Sequence, residues 1–389
     1  MPLPSLLRPD HIAAIKARVA AYPCVALALQ GGGALGSYQA GVMEALTAAE
    51  VAPTQVVGVS IGAINSALIA GNPPERRMER ITQFWERVTA PSAWWPTPSG
   101  EAPRRLYNLM NAGGAMLQGA PGFFTPRFVN PWFVPSGWSG ATSFYDTARL
   151  RDTLSELIDW DLLNDGPTRI AVGAVDVRSG NFRYFDSKHE RLAPEHVMAS
   201  GALPPGFPGI EIDGALYWDG GLVSNTPLQY LLEFEQMRDT LVFQVDLFSA
   251  RGEARDMPGV LARQKEILYS SRTRNNTDAF RRAHVARARL RDALKRLPAG
   301  ALTAEDRAFL AQTEDTPQIT ILHLIYQTAR HESDAQDYEF SRASMLDHWA
   351  AGRADTVKTL SRPERLDKPS EKDGVRIFDV HHPREDIGG

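Results

Sequence analysis

Apolar positions along the chain fall into short, nearly continuous runs, the first two of which end in glycine turns followed by helix-forming residues. Residues 25–30 predict a strand, Gly31-Gly32-Gly33-Ala34-Leu35-Gly36 a turn, and residues 37–49 a helix. The pattern repeats at once. Gln55–Val59 is a short β-branched strand, Gly58-Val59-Ser60-Ile61-Gly62 a turn, and residues 65–70 a helix that Gly71, Asn72, Pro73 and Pro74 close. Two strand-turn-helix units in succession predict a parallel sheet covered by helices. Further strands are expected over 170–177, 182–185, 216–218 and 241–247, which extends a layered α/β domain to about residue 250.

Between these units lies a stretch, about 90–145, rich in Pro, Gly and aromatics and without a clear period. It holds Trp94, Trp95, Phe123, Phe124, Phe128, Trp132, Phe133 and Trp138, and reads either as an irregular subdomain packed on the sheet or as a lid over an apolar site. After residue 250 the composition turns charged and helical. Over 281–297, Leu290, Leu294 and Leu297 share one helical face amid basic residues; either the leucines dock on the protein, or the helix lies on an anionic membrane. A strand is expected at Ile319–Ile325, a helix over 341–360, and a partly extended tail over 361–389. The expected organisation is a helical lead-in over 1–22, a catalytic domain over 23–250 and a mostly helical extension over 251–389.

Composition narrows the class little further. With 389 residues, 43% hydrophobic and 23% charged, the chain has enough apolar material for a large core. A net charge of −4 gives no global attraction to nucleic acid, and none is expected as a partner. Cys24, the single cysteine, reads as a small buried hydrophobe and excludes disulfides and cysteine metal clusters. The first residues carry no recognisable secretory signal, and no run approaches the roughly 20 apolar residues of a membrane span. The default expectation is a cytoplasmic protein whose membrane contact, if any, is peripheral.

Chemistry enters with Ser60. A G-x-S-x-G pattern puts a serine on a tight strand-to-helix turn, with its hydroxyl clear of the backbone and the helix dipole aimed at developing negative charge. The turn from Gly31 to Gly36 can point successive amides at one oxygen. It also satisfies G-x-G-x-x-G, the dinucleotide fingerprint, but the acidic residue at suitable spacing, Glu50, precedes the second strand rather than ending it. A proton acceptor is still needed. None of the nine histidines sits in a catalytic motif: His323 lies in an apolar run, and His381 and His382 lie in the tail. Asp219 ends a short strand and opens Asp219-Gly220-Gly221, at the sheet edge where sites in parallel sheets assemble, although a plain Asp-Gly turn has the same form.

Taken in order, Gly31 to Gly36, Gly58 to Gly62 and Asp219-Gly220-Gly221 resemble the patatin-like phospholipase family. Ala199-Ser200-Gly201-Ala202-Leu203-Pro204, Phe207-Pro208 and Asn225-Thr226-Pro227 add to the resemblance, which runs from residue 25 to 227. It implies a three-layer α/β/α sandwich with a mainly parallel central sheet, and hydrolysis of acyl esters by a Ser-Asp dyad. Ser60 would be the nucleophile, Asp219 the general base and later acid, and the amides of Gly31, Gly32 and Gly33 the oxyanion hole. Gly36, Gly58, Gly62, Gly220 and Gly221 would shape the turns. The chemistry would need no metal and no cofactor, and the partner would be a lipid or other acyl-ester substrate. One departure bears on head-group recognition: Leu35 stands where many bacterial relatives carry a basic residue. Three other readings stay open, namely a lipid-binding regulator centred on the basic helix, a hydrolase with His323 or His348 as base, and an esterase or thioesterase for non-phospholipid substrates.

Overall fold

The computed structural model describes residues 7–89, 97–138, 140–234, 238–254, 256–313, 317–329, 332, 335–370 and 374–379. Trp94, Trp95, His381 and His382 lie outside these residues. The strands are β1 (Cys24–Leu29), β2 (Gln55–Val59), β3 (Thr125–Pro126), β4 (Tyr145–Asp146), β5 (Arg169–Asp176), β6 (Phe182–Asp186), β7 (Ile210–Ile212), β8 (Ala215–Asp219), β9 (Thr240–Asp246), β10 (Ile319–Ile325) and β11 (Val375–Asp379). β3 and β4 form a small antiparallel ribbon, and the other nine form one sheet.

Six strands in the order β11-β10-β9-β1-β2-β5 are parallel. The apolar runs of β1, β2 and β9 are buried on both faces, as a sheet between two helical layers requires. Along β1 the side chains alternate. Val25, Leu27 and Leu29 join the cluster of Leu46 and Ile64, from the helices Ser37–Ala48 and Ile61–Ala70. Cys24, Ala26 and Ala28 face the other way, against Leu228 and Leu231 of the helix Leu228–Phe234. Small residues on that face let the helix approach closely. The result is a three-layer α/β/α architecture with a mainly parallel central sheet.

Past β5 the direction changes. β5 pairs with β2 through Arg169–Gly173, and with β8, antiparallel, through the next three residues, Ala174, Val175 and Asp176. β6 pairs with positions 171–175 of β5 and therefore takes its other edge. So β2 and β8 lie end to end along one edge of β5 and run toward each other.

The sheet also runs across residue 250, because β10 pairs with β9 and β11 with β10. The last helix, Arg342–Leu360, lies along Ser37–Ala48, where Trp349 Nε1 donates to Glu44 at 2.6 Å and Tyr38 donates to Asp355 at 2.8 Å. At the other terminus, the helix Pro9–Val19 is tied down by Arg18 and Asp367 at 2.7 Å.

The stretch expected to lack a period contains the helix Glu101–Gln118, whose orientation is inverted. Arg104 and Asn108 are 8% and 5% exposed, whereas Leu117 is 80% exposed and Leu106, Leu109 and Met110 are also in water. The Arg104 guanidinium is held by Asp347 at 2.8 Å and by Asn108 at 3.0 Å. Each large apolar side chain left in water forgoes roughly 1.5–3 kcal/mol of burial, so this face is costly for a freely soluble surface. Pro103, Gly113 and Gly114 obscure the helical spacing in the sequence. No described helix is long and apolar enough to cross a membrane.

Candidate active site

Ser60 follows β2 directly and caps the helix Ile61–Ala70, which begins four residues earlier than the sequence pattern suggests. Its backbone is left-handed, with φ +57°, a conformation that costs a non-glycine residue about 1–2 kcal/mol. Two hydrogen bonds hold it there. The Ser60 amide donates to the Ser200 carbonyl at 3.1 Å and to Ser200 Oγ at 3.0 Å, and Ser200 Oγ donates to the Gly173 carbonyl at 2.6 Å. The turn is thereby pinned to β5. Gly62 is needed beside it, since a Cβ there would stand 2.2 Å from the Leu29 carbonyl oxygen. Gly58 lies within β2 and Gly36 ends a 3-10 turn, Gly33–Gly36, against Ile61.

Asp219 ends β8 opposite Ala174, one position beyond the Gly173 that pairs with Val59. That register brings its carboxyl to the Ser60 hydroxyl. The side chain is 2% exposed and opens the 3-10 turn Gly220–Leu222, accepting from the Gly221 amide at 2.7 Å. Burial pushes its pKa up to about 7, and the Ser60 hydroxyl and Gly221 amide pull only partly against that. The group can therefore exchange a proton near neutrality.

The glycine turn also stands against Ser60. Gly31 is clamped by Asn225, whose Nδ2 donates to the Gly31 carbonyl at 3.0 Å and whose own carbonyl accepts from the Gly31 amide at 3.4 Å. A Cβ on Gly31 would come within 2.4 Å of Asn225 Oδ1 and 2.9 Å of Ser60 Cβ. The Gly32 and Gly33 amides donate to no hydrogen bond among the described residues. Behind the turn, buried Gln30 accepts from the Leu247 amide at 2.6 Å and donates to the Tyr269 carbonyl at 3.1 Å. The end of β9 and the long helix Met257–Leu294 are thus tied to the turn.

Ser60, Asp219 and Gly31 to Gly33 line one cleft of about 680 Å³, counting space open to solvent. Phe123, Phe124, Phe207 and Phe340 form an aromatic wall with ring centres 5.2 to 5.9 Å apart. Tyr269, Asp337, Tyr338 and Phe340 come from beyond residue 250, and the 3-10 turn Gln336–Tyr338 sits against Gly33. Nothing in the local sequence around them marks these residues. His323 is buried in β10, and His348 Nε2 is engaged by Glu332 at 2.5 Å; neither lines the cleft. Among the described residues, no group of three or more His, Cys, Asp or Glu could hold a metal ion.

A family model described as Patatin-like phospholipase matches residues 27–232, and one described as Patatin phospholipase matches residues 267–372. The chain belongs to the patatin-like phospholipase family. That family is one of carboxylic ester hydrolases, and in this patatin-like chain the first matched region carries the end of β1, the Ser60 turn and Asp219, while the second carries β10 and the cleft residues Tyr269, Asp337, Tyr338 and Phe340. The chain is also 31% identical over 94 residues to the cGAMP-activated phospholipase of Pseudomonas aeruginosa, a match covering 22% of this chain and 28% of that protein. A solved structure, VipD from Legionella pneumophila, aligns over 84% of this chain and 67% of that one, at 13% identity and a TM-score of 0.33.

Proposed function

We propose that this patatin-like chain hydrolyses carboxylic esters of lipids through an acyl-enzyme on Ser60, with Asp219 as general base and then general acid. The observation that carries the proposal is the meeting of β2 and β8, which sets a serine hydroxyl on a strained turn against a buried carboxyl with a pKa of about 7. In the first step Asp219 takes the Ser60 proton as Oγ bonds to the substrate carbonyl carbon. The Gly32 and Gly33 amides receive the oxyanion, and Gly31 holds the turn through Asn225. The oxyanion collapses, the leaving alcohol departs with the proton from Asp219, and water repeats the sequence on the acyl-enzyme.

The aromatic wall suits an acyl chain. Among the described residues lining the cleft there are two carboxylates, Asp219 and Asp337, the second paired with Lys265 at 2.5 Å, and Leu35 is fully buried. With Leu35 rather than a cation beside the glycine turn, esters whose leaving group is uncharged or zwitterionic are favoured over anionic phospholipids. A fluorophosphonate probe followed by mass spectrometry tests the nucleophile: one adduct on Ser60, absent in Ser60→Ala, is expected, and labelling at another residue overturns the assignment. A panel of monoacylglycerol, phosphatidylcholine and phosphatidylglycerol tests the substrate preference.

A further inference from the structure

We propose that the apolar rim formed by the helix Glu101–Gln118 and residues 128–138 docks the chain on a phospholipid bilayer, so that the cleft opens onto the membrane. This rests on the lipid-ester reading above and specifies the surface that delivers the substrate. The helix is inside out, with Leu106, Leu109, Met110 and Leu117 in water and Arg104 and Asn108 buried. Next to it, Phe128 is fully exposed, and Trp132 and Phe133 are 84% and 82% exposed. Exposed apolar residues scattered singly are ordinary, whereas a contiguous set of this kind marks an interaction surface. Aliphatic side chains on one helical face, flanked by Trp and Phe, match the depth profile of an interfacial anchor.

Charge narrows the occupant. Residues 102–145 contain three arginines and no Asp, Glu or Lys, in a chain with 46 acidic residues. Arg104 pairs with Asp347, Arg105 with Asp256 and Arg127 with Asp146, so each arginine of the stretch is balanced by a carboxylate from outside it and the face is close to neutral. The rim is also continuous with the cleft. Tyr145 donates to the Met116 carbonyl at 2.9 Å, and the Phe144 and Tyr145 amides donate to the Pro205 and Gly206 carbonyls at 3.1 and 2.9 Å, beside the cleft residues Leu203 and Phe207. The chain leaves the aromatic wall at Phe124 and enters β3 at Thr125 before reaching the exposed segment. The basic stretch near Arg291, by contrast, lies 22 residues beyond the cleft residue Tyr269 on one helix. That is roughly 33 Å along the axis.

The test uses the full chain and vesicles of phosphatidylcholine with phosphatidylglycerol. Two double variants, Leu109→Gln with Leu117→Gln and Trp132→Ser with Phe133→Ser, should each lower vesicle affinity and turnover of vesicle-embedded lipid on the order of tenfold. Their kcat/KM for soluble p-nitrophenyl butyrate and their Tm should match the parent. Vesicle binding retained by both variants overturns the proposal, as does binding lost only on Arg287→Glu, Arg289→Glu and Arg291→Glu. A parent dimer that the substitutions split, with no vesicle binding by either form, overturns it in favour of a second copy of the chain. If the parent cleaves no ester yet the variants lose vesicle binding, the docking surface stands and the hydrolase reading fails.

Discussion

Val59 and Asp219 pair with adjacent residues of one strand, Gly173 and Ala174, from opposite directions. One strand thereby serves as a ruler for two others, and the residue after Val59, Ser60, meets a carboxylate that the chain supplies far downstream.

The pH dependence carries a definite sign. On the proposed mechanism turnover needs the Asp219 carboxylate, so kcat/KM is expected to rise with pH through about 7 and level off above. Between an ordinary carboxylate pKa near 3.8 and the folded value of about 7, the folded state holds a proton that the unfolded state has released. Stability therefore falls as pH rises across that window and is flat above it. Asp246, also buried and pushed up to about 7, adds a contribution of the same sign. Asp219→Asn should abolish turnover and remove roughly 4 kcal/mol of the decline, leaving the Asp246 part. Denaturant titrations between about pH 4 and about pH 8 measure it, and an unchanged slope would refute the buried-carboxylate account.

Ser60→Ala and Ser60→Gly should both inactivate, yet differ in stability. Only glycine relieves the positive φ at the turn, so Ser60→Gly is expected to unfold up to about 1 kcal/mol less readily than Ser60→Ala, after the entropy of a more flexible unfolded chain is subtracted. Thermal melts of the two variants compare them directly.

Ser200 acts as a positioning residue, since its hydroxyl bridges the Ser60 amide and the Gly173 carbonyl. Ser200→Ala should cost about 1–3 kcal/mol of stability, because it leaves a buried carbonyl without its donor. It should lower kcat on the order of tenfold to a hundredfold while leaving KM nearly unchanged. A change confined to KM would show that the bridge serves binding instead.

The segment beyond residue 250 is expected to be part of the folding unit. Removing it exposes the whole edge of β9, to which β10 pairs from Ile319 to Ile325, and deletes the Tyr269 carbonyl that holds Gln30. A chain ending at residue 250 should show no cooperative melt by circular dichroism. Phe340→Ala, a milder change, should cost about 3–5 kcal/mol and lower activity on long-chain esters more than on short ones.

Local chemistry made much of the site legible from the residues. The runs Gln55–Val59 and Ile319–Ile325 form strands at those bounds, and the glycine turns and the helix after Ser60 are encoded by residues next to one another. The stretch around 90–145 misled because its helix turns its polar face inward, against Asp347 from a distant helix. The boundary near residue 250 follows a real shift in composition, but the sheet continues across it.

Sequence alone determined the turns, the strand runs and the presence of a serine and an aspartate of the right types, because backbone conformation and two-sided strand burial are set by near neighbours. Tertiary structure decided which carboxyl meets Ser60, that Asp219 is buried enough to titrate near neutrality, that residues from 269 to 340 complete the cleft, and which face of Glu101–Gln118 meets water. Burial and proximity belong to pairs of segments rather than to either one, and no local pattern records what will be packed against it.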